Sequence, residues 1–273
     1  MFCKRGEGLE KSWRDLMQDL RIAILQVDLH WEDKDANFNL FDKRLEELDG
    51  VDFVLLPETF TTGFSMNTKK LAEPMKGKTL AWLQKWSKSL DVVICGSYIV
   101  EEAGECYNRL VAIEPNGSYQ YYDKKHLFRM GGEMEAYSSG DKKITINHKG
   151  WKVNPFICYD LRFPVWCRNT NDAEMMVFVS NWPKVRSEHW LSLLKARAIE
   201  NQCFVLGSNR VGKDGNGVSH SGNSVVFNPK GEKVEELVNK EGLILLSLKL
   251  EDVHNYRTVF PAYLDRDQFD LKL

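Results

Sequence analysis

The sequence is short of several things at once: long apolar runs, paired cysteines and any imbalance of charge. Its longest apolar stretches are strand-sized, so no membrane-spanning helix is expected. Met1–Asp19 is polar and lacks the apolar centre of a signal peptide. Lys and Arg total 37 against 39 Asp and Glu, a formal net charge of −2. That balance argues against a broad basic face for nucleic acid. An anionic small molecule would then be held by a local Arg or Lys rather than by the field of the whole chain.

Cys3, Cys95, Cys106, Cys158, Cys167 and Cys203 are scattered, with no C-x-x-C pair and no His at zinc-ligand spacing. Neither a disulfide framework nor a structural metal is implied. Free thiols in apolar runs, as in Val-Val-Ile-Cys95, suit a reducing, cytoplasmic compartment. No Pro-, Gly- or Ser-rich linker divides the chain, so residues 20–273 read as one domain. Residues 1–19 read as an N-terminal extension without chemistry. There Leu9, Trp13, Leu16 and Leu20 fall on one helical face, and Met17 offers an alternative start.

What is present is a β-α-β-α-β beginning. Strands are expected at 21–27, 51–56 and 92–98, with helices between them. Asp33 or Asp35 caps the first helix, and the second covers roughly 79–90. Pro115-Asn-Gly117 marks a hairpin between 107–114 and 118–122. Further strands are expected near 143–147, 151–157, 175–180 and 203–208, with a helix over 187–201 capped by Ser187. The end reads as antiparallel, with strands at 224–228, 233–237 and 243–248. Gly-Ser follows a buried strand at both Gly96-Ser97 and Gly207-Ser208, which hints at two related halves. The pattern is α/β.

Three strand ends carry reactive groups. Val54-Leu-Leu-Pro57-Glu58 ends in a carboxylate, Pro155-Phe-Ile-Cys158-Tyr-Asp160 in a thiol and a carboxylate, and Val177-Phe-Val-Ser-Asn181-Trp182-Pro183 in an amide and an aromatic. Ligands gather where strands of layered α/β folds end. The hairpin strand runs into a basic cluster, Tyr122-Asp-Lys124-Lys-His126-Leu-Phe128. A carboxylate base, a cation and a thiol form a self-consistent set for acyl transfer. Taken singly, Glu58 can be a helix cap, Cys158 a core thiol and Lys124 a solvated charge; the combination carries the argument. Asp160 and Arg162 read as a structural pair at the Cys turn, and His126 and His189 as packed or hydrogen-bonded histidines. A Cys–His hydrolase would need one of the histidines beside the thiol, and none has local support.

Leu-Pro57-Glu58, Tyr-Asp-Lys124-Lys-His126-Leu-Phe and Ile-Cys158-Tyr-Asp-Leu-Arg162-Phe-Pro164 resemble, in order, the three blocks of the nitrilase superfamily of carbon–nitrogen hydrolases. Lys195-Ala-Arg197-Ala-Ile-Glu200-Asn-Gln202 resembles a fourth. The resemblance covers the chain from Arg21 onward. It implies a four-layer α-β-β-α sandwich, commonly paired into homodimers. It implies catalytic Glu58, Lys124 and Cys158, with Lys124 selected over Lys125 by its place two residues before the His. It adds Glu133, seven residues before Gly140, and the backbone N–H of Tyr159 as an oxyanion donor. No metal and no organic cofactor is required.

Pro-Glu58-Thr-Phe60-Thr-Thr-Gly63-Phe64, His-Leu-Phe-Arg129-Met130 and Asn181-Trp-Pro-x-x-Arg186-x-x-His189-Trp190 resemble the omega-amidase subgroup. Members hydrolyse the terminal amide of 2-oxo acids such as 2-oxoglutaramate, and the bacterial type is linked to methionine salvage. Phe60, Phe64 and Trp182 are expected to wall a small cavity, with Arg186 or Arg129 holding a substrate carboxylate. Other amidases or N-carbamoyl amidohydrolases of the superfamily remain alternatives, as does a silent binding module.

Overall fold

The computed structural model describes residues 18–271. The expected helical face of the N-terminal extension lies outside these residues apart from Leu20. Leu20 instead opens the first strand, β1 (Leu20–Gln26). Along β1 successive side chains face opposite ways. Ile22 and Ile24 pack toward the second sheet, and Ala23 and Leu25 toward a layer of helices.

That layer is α1 (Lys34–Leu45) and α2 (Lys78–Leu90). Asp33 caps α1 by accepting the Ala36 N–H at 2.9 Å, as its short acidic side chain at a helix start predicts. Phe38, Phe41 and Leu45 are buried from α1, and Leu80, Leu83 and Trp86 from α2. Each such side chain stabilises the fold by roughly 1.5–3 kcal/mol. The indoles of Trp82 and Trp86 both donate to Asp42, at 2.8 and 2.6 Å, and tie the two helices together.

The first sheet continues through β2 (Phe53–Leu55), β3 (Val93–Glu102), β4 (Glu105–Ile113) and β5 (Tyr119–Asp123). β1, β2 and β3 are parallel; β3, β4 and β5 are antiparallel, so the expected hairpin at 115–117 is preceded by a second one at Ala103–Gly104. The second sheet holds β6 (Ile146–His148), β7 (Trp151–Ile157), β8 (Met175–Ser180), β9 (Phe204–Asn209), β10 (Val211–Lys213), β11 (Ser219–Phe227) and β12 (Lys233–Val238). β7, β8 and β9 form its parallel centre. Helix α3 (Ser187–Asn201) covers its outer face with Trp190, Leu194 and Ala198. Ser187 is the first helical residue and does not cap, because a 3₁₀ turn over Lys184–Arg186 leads directly into the helix. The order of layers is α-β-β-α.

The end of the chain departs from its local pattern. β13 (Gly242–Leu248) leaves the second sheet and pairs antiparallel with β1, Leu20 opposite Leu248, as the edge of the first. α4 (Leu250–Val259) then returns to the second half, where buried Arg257 donates to the carbonyls of Gln202 and Ala173. Among the described residues no helix is long and apolar enough to cross a membrane.

Candidate active site

The ends of β2, β5, β7 and β8 converge on one cavity of about 340 Å³. Glu58, Lys124, Cys158 and Asn181 all line it. The Lys124 ammonium lies 3.0 Å from Glu58 Oε1 and 2.9 Å from each oxygen of Glu133. All three side chains are fully buried. Burial alone would push Lys124 down, but Glu133 and Glu58 hold its ammonium well above the ordinary lysine value. Burial pushes the Glu133 carboxyl up, against the pull of Lys124.

Glu133 sits on a single helical turn, Glu133–Ala136, and accepts the Phe128 N–H at 2.6 Å. Gly140, whose spacing singled it out, packs where a Cβ would collide with the Asp123 backbone, and its N–H donates to the Lys124 carbonyl. Two amides complete the cluster, Asn181, singled out at its strand end, and Asn108, missing from the sequence reading. Asn108 of β4 donates to Glu58 Oε1 at 2.8 Å and lies 3.5 Å from Glu133. Asn181 donates its backbone N–H to Glu58 Oε2 at 2.7 Å. Asn108 was invisible because its partner stands fifty residues away, in the turn after β2.

The backbone bends beside Glu58 and at Cys158. Thr59 and Cys158 each have φ +44°, a conformation disfavoured for side chains with a Cβ. The Thr59 bend is held by its N–H donating to Ser97 Oγ at 2.8 Å, which gives the Gly96-Ser97 echo a purpose. Cys158 opens a 3₁₀ turn, Cys158–Arg162, whose first N–H groups, including that of Tyr159, have no partner inside the turn. Asp160 anchors this turn to β5. It accepts from Tyr122 Oη (2.6 Å), the His126 N–H (2.9 Å) and the Ile157 N–H (3.1 Å). His126 stacks on Phe163 with ring centroids 3.7 Å apart, a packed histidine as expected. Burial pushes the half-buried Cys158 thiol up, and Glu58 adds to this; Lys124 and a bond from Ser180 act the other way.

The cavity walls require three corrections. Phe60 does not line the cavity; the Thr59 bend turns its ring into the helix-facing core beside Phe41 and Trp82. Arg129 is exposed and stands outside the cavity. Arg162 does not pair with Asp160; it lines the cavity with its guanidinium 4.7 Å from the Trp182 ring. Phe64, Trp182 and Arg186 line it as expected, with Arg186 5.6 Å from the Phe128 ring. Partial burial and the nearby Arg186 charge both hold Arg162 below the ordinary arginine value. Among the described residues neither guanidinium forms an ion pair. His220, also unforeseen, lines the cavity and is pushed down to about 4 by burial and by Arg210. No three His, Cys, Asp or Glu among the described residues are grouped to hold a metal ion.

The carbon–nitrogen hydrolase family model matches residues 21–258. Omega-amidase YafV of Escherichia coli K12 is 41% identical over 93% of this chain and 100% of its own. The 2-oxoglutaramate amidase of Bacillus subtilis is 32% identical over 89% of this chain and 96% of its own. A CN-hydrolase superfamily protein of Xanthomonas campestris, solved with an arsenic adduct in its active site, is 42% identical, covers 94% of this chain and 100% of its own, and superposes with a TM-score of 0.92. This chain belongs to the carbon–nitrogen hydrolase family and is a hydrolase of amide C–N bonds.

Proposed function

We propose that the protein is an omega-amidase that cleaves the terminal amide of small 2-oxo-dicarboxylic acid monoamides, converting 2-oxoglutaramate to 2-oxoglutarate and ammonia. The observation that carries this reading is the pair of guanidiniums, Arg162 and Arg186, on the wall of the cavity that holds Cys158, without carboxylate partners among the described residues. Two planar donor forks suit a carboxylate with a neighbouring oxo group. Phe64 and Trp182 leave room for a short chain between them and the thiol. The names of the Escherichia coli and Bacillus subtilis relatives point to the same substrate class.

Proton bookkeeping favours a closed exchange. Two carboxylates already share one buried ammonium, so releasing a thiol proton to solvent would add a second uncompensated negative charge. Passing it to Glu58 keeps the total constant. The thiolate then attacks the amide carbonyl, and Lys124 and the Tyr159 N–H receive the oxyanion. Glu58 returns its proton to the departing ammonia. Water, deprotonated by Glu58, opens the thioester and restores the thiol. Glu133 holds the ammonium in place. Proton shuttling of this kind supplies about 10²–10⁴-fold.

The same reading carries a cytosolic setting, supported by free thiols at Cys95, Cys106, Cys158, Cys167 and Cys203. It carries pairing of two copies, for which exposed Val259, Phe260 and Leu264 offer apolar surface. It also carries a supply of substrate from glutamine-dependent transamination, the step linked to methionine salvage. The deciding test is ammonia release from 2-oxoglutaramate by wild type and Cys158→Ala. Release by wild type and none by the variant is expected. No release by wild type, with Cys158 still alkylated, would discard the substrate and keep the nucleophile.

A further inference from the structure

Cys158 has a neighbour that the proton exchange above leaves unused. Ser180, the last residue of β8, is fully buried, and its hydroxyl donates to the Cys158 sulfur at 3.1 Å. Among the described residues this hydroxyl has no other partner. We propose that Ser180 is a catalytic residue whose hydroxyl stabilises the Cys158 sulfur anion, both when the thiolate forms for attack and when it would be expelled from the acyl-enzyme's tetrahedral intermediate. The proposal rests on Cys158 being the nucleophile.

The reasoning concerns when the bond is strong. A hydroxyl sealed from water loses free energy unless its proton has an acceptor. A thiol or thioester sulfur is a weak acceptor, and a thiolate is a strong, charge-assisted one. The bond therefore strengthens only in the states where the sulfur is anionic, the kind of difference that lowers barriers rather than tightening binding. The charges around the sulfur leave a need for it. Glu58 and Glu133 oppose the thiolate, Lys124 favours it, and Arg162 stands on the cavity wall. Yet Lys124 is already shared between the two carboxylates. A neutral donor adds stabilisation without adding a further charge to a cluster of buried charges.

A stabilised thiolate is also a weaker nucleophile, with a sensitivity of about 0.4–0.5. A tenfold gain in thiolate fraction thus nets roughly threefold in rate. The test is the rate of Cys158 alkylation by iodoacetamide, mapped by peptide mass, from neutral to alkaline pH, in wild type, S180A and S180T. In S180A the profile is expected to shift upward by about one pH unit, with labelling at neutral pH roughly threefold slower. Amide turnover is expected to fall about 3–10-fold in kcat with KM unmoved. S180T keeps the hydroxyl on a strand that tolerates β-branching and is expected to follow wild type. An S180A profile that overlays wild type overturns the proposal, as does S180T shifting as far as S180A, since the site would then answer to shape alone. Wild-type Cys158 that resists labelling throughout would remove the nucleophile and this role with it.

Discussion

At the floor of the cavity Glu58, Lys124 and Glu133 are fully buried, bonded to one another, and held by Asn108, Asn181 and the Phe128 N–H. At its wall Arg162 and Arg186 are half-buried, rest against aromatic rings, and have no carboxylate partner among the described residues. The floor has its charged groups hydrogen-bonded before any ligand arrives, which suits groups that must not reorganise during reaction. The wall keeps charge in reserve, which suits groups whose partner is the ligand. On the proposed function, chemistry and selection fall to different parts of one small cavity.

The harshest way to break this contrast is at the floor. Lys124→Met would strip two buried carboxylates of their cation. Amide turnover is expected to fall on the order of 10³-fold. Stability should drop by about 3–5 kcal/mol, read by denaturant titration. That loss should shrink as pH falls, because a proton can replace the missing ammonium on one carboxyl. A Lys124→Met protein as stable as wild type would mean that the floor is not held by its charges.

The wall should behave differently. Arg162→Leu and Arg186→Leu are each expected to raise KM for 2-oxoglutaramate about 10–100-fold, with kcat nearly kept. An amide without the far carboxylate should be turned over equally by both variants and wild type. Should either variant lose kcat as steeply as the floor variant does, the division between floor and wall fails. The smallest effect concerns His220, which borders the cavity. Its folded-state value of about 4 lies below that of a free imidazole. The unfolded chain therefore binds the extra proton as pH falls, so this stabilisation is complete above about 6.5 and is lost on the way down to about 4. Arg210 opposes protonation and Asp214 favours it, and both belong to this balance. Between pH 7 and pH 5 wild type should lose about 2 kcal/mol more than His220→Asn, by denaturant titration at each pH.

The floor was the most legible part of the chain. Carboxylate, basic cluster and thiol each follow a strand or hairpin whose hydrophobic pattern is local, while the choice of Lys124 over Lys125 and the addition of Glu133 came from the family resemblance. The wall was less so, for geometric reasons. Phe60 was expected on the cavity wall; on an extended strand it would share a face with Glu58, and the left-handed Thr59 breaks that rule. Arg162 was paired with Asp160 because the two are near in sequence. A 3₁₀ turn, with about three residues per revolution, sends them to different sides. Which sheet receives β13 is likewise not written in its own alternation. Only the register against β1 decides it, and that register depends on residues more than two hundred positions away.

The two bends at Thr59 and Cys158 have one more consequence. Glycine or asparagine would rest more comfortably in either place. At Cys158, on the proposed function, heat tolerance and reactivity therefore ask for different letters. A lineage bred for robustness alone would relax that corner, and it would end as a sturdier molecule with nothing left to do.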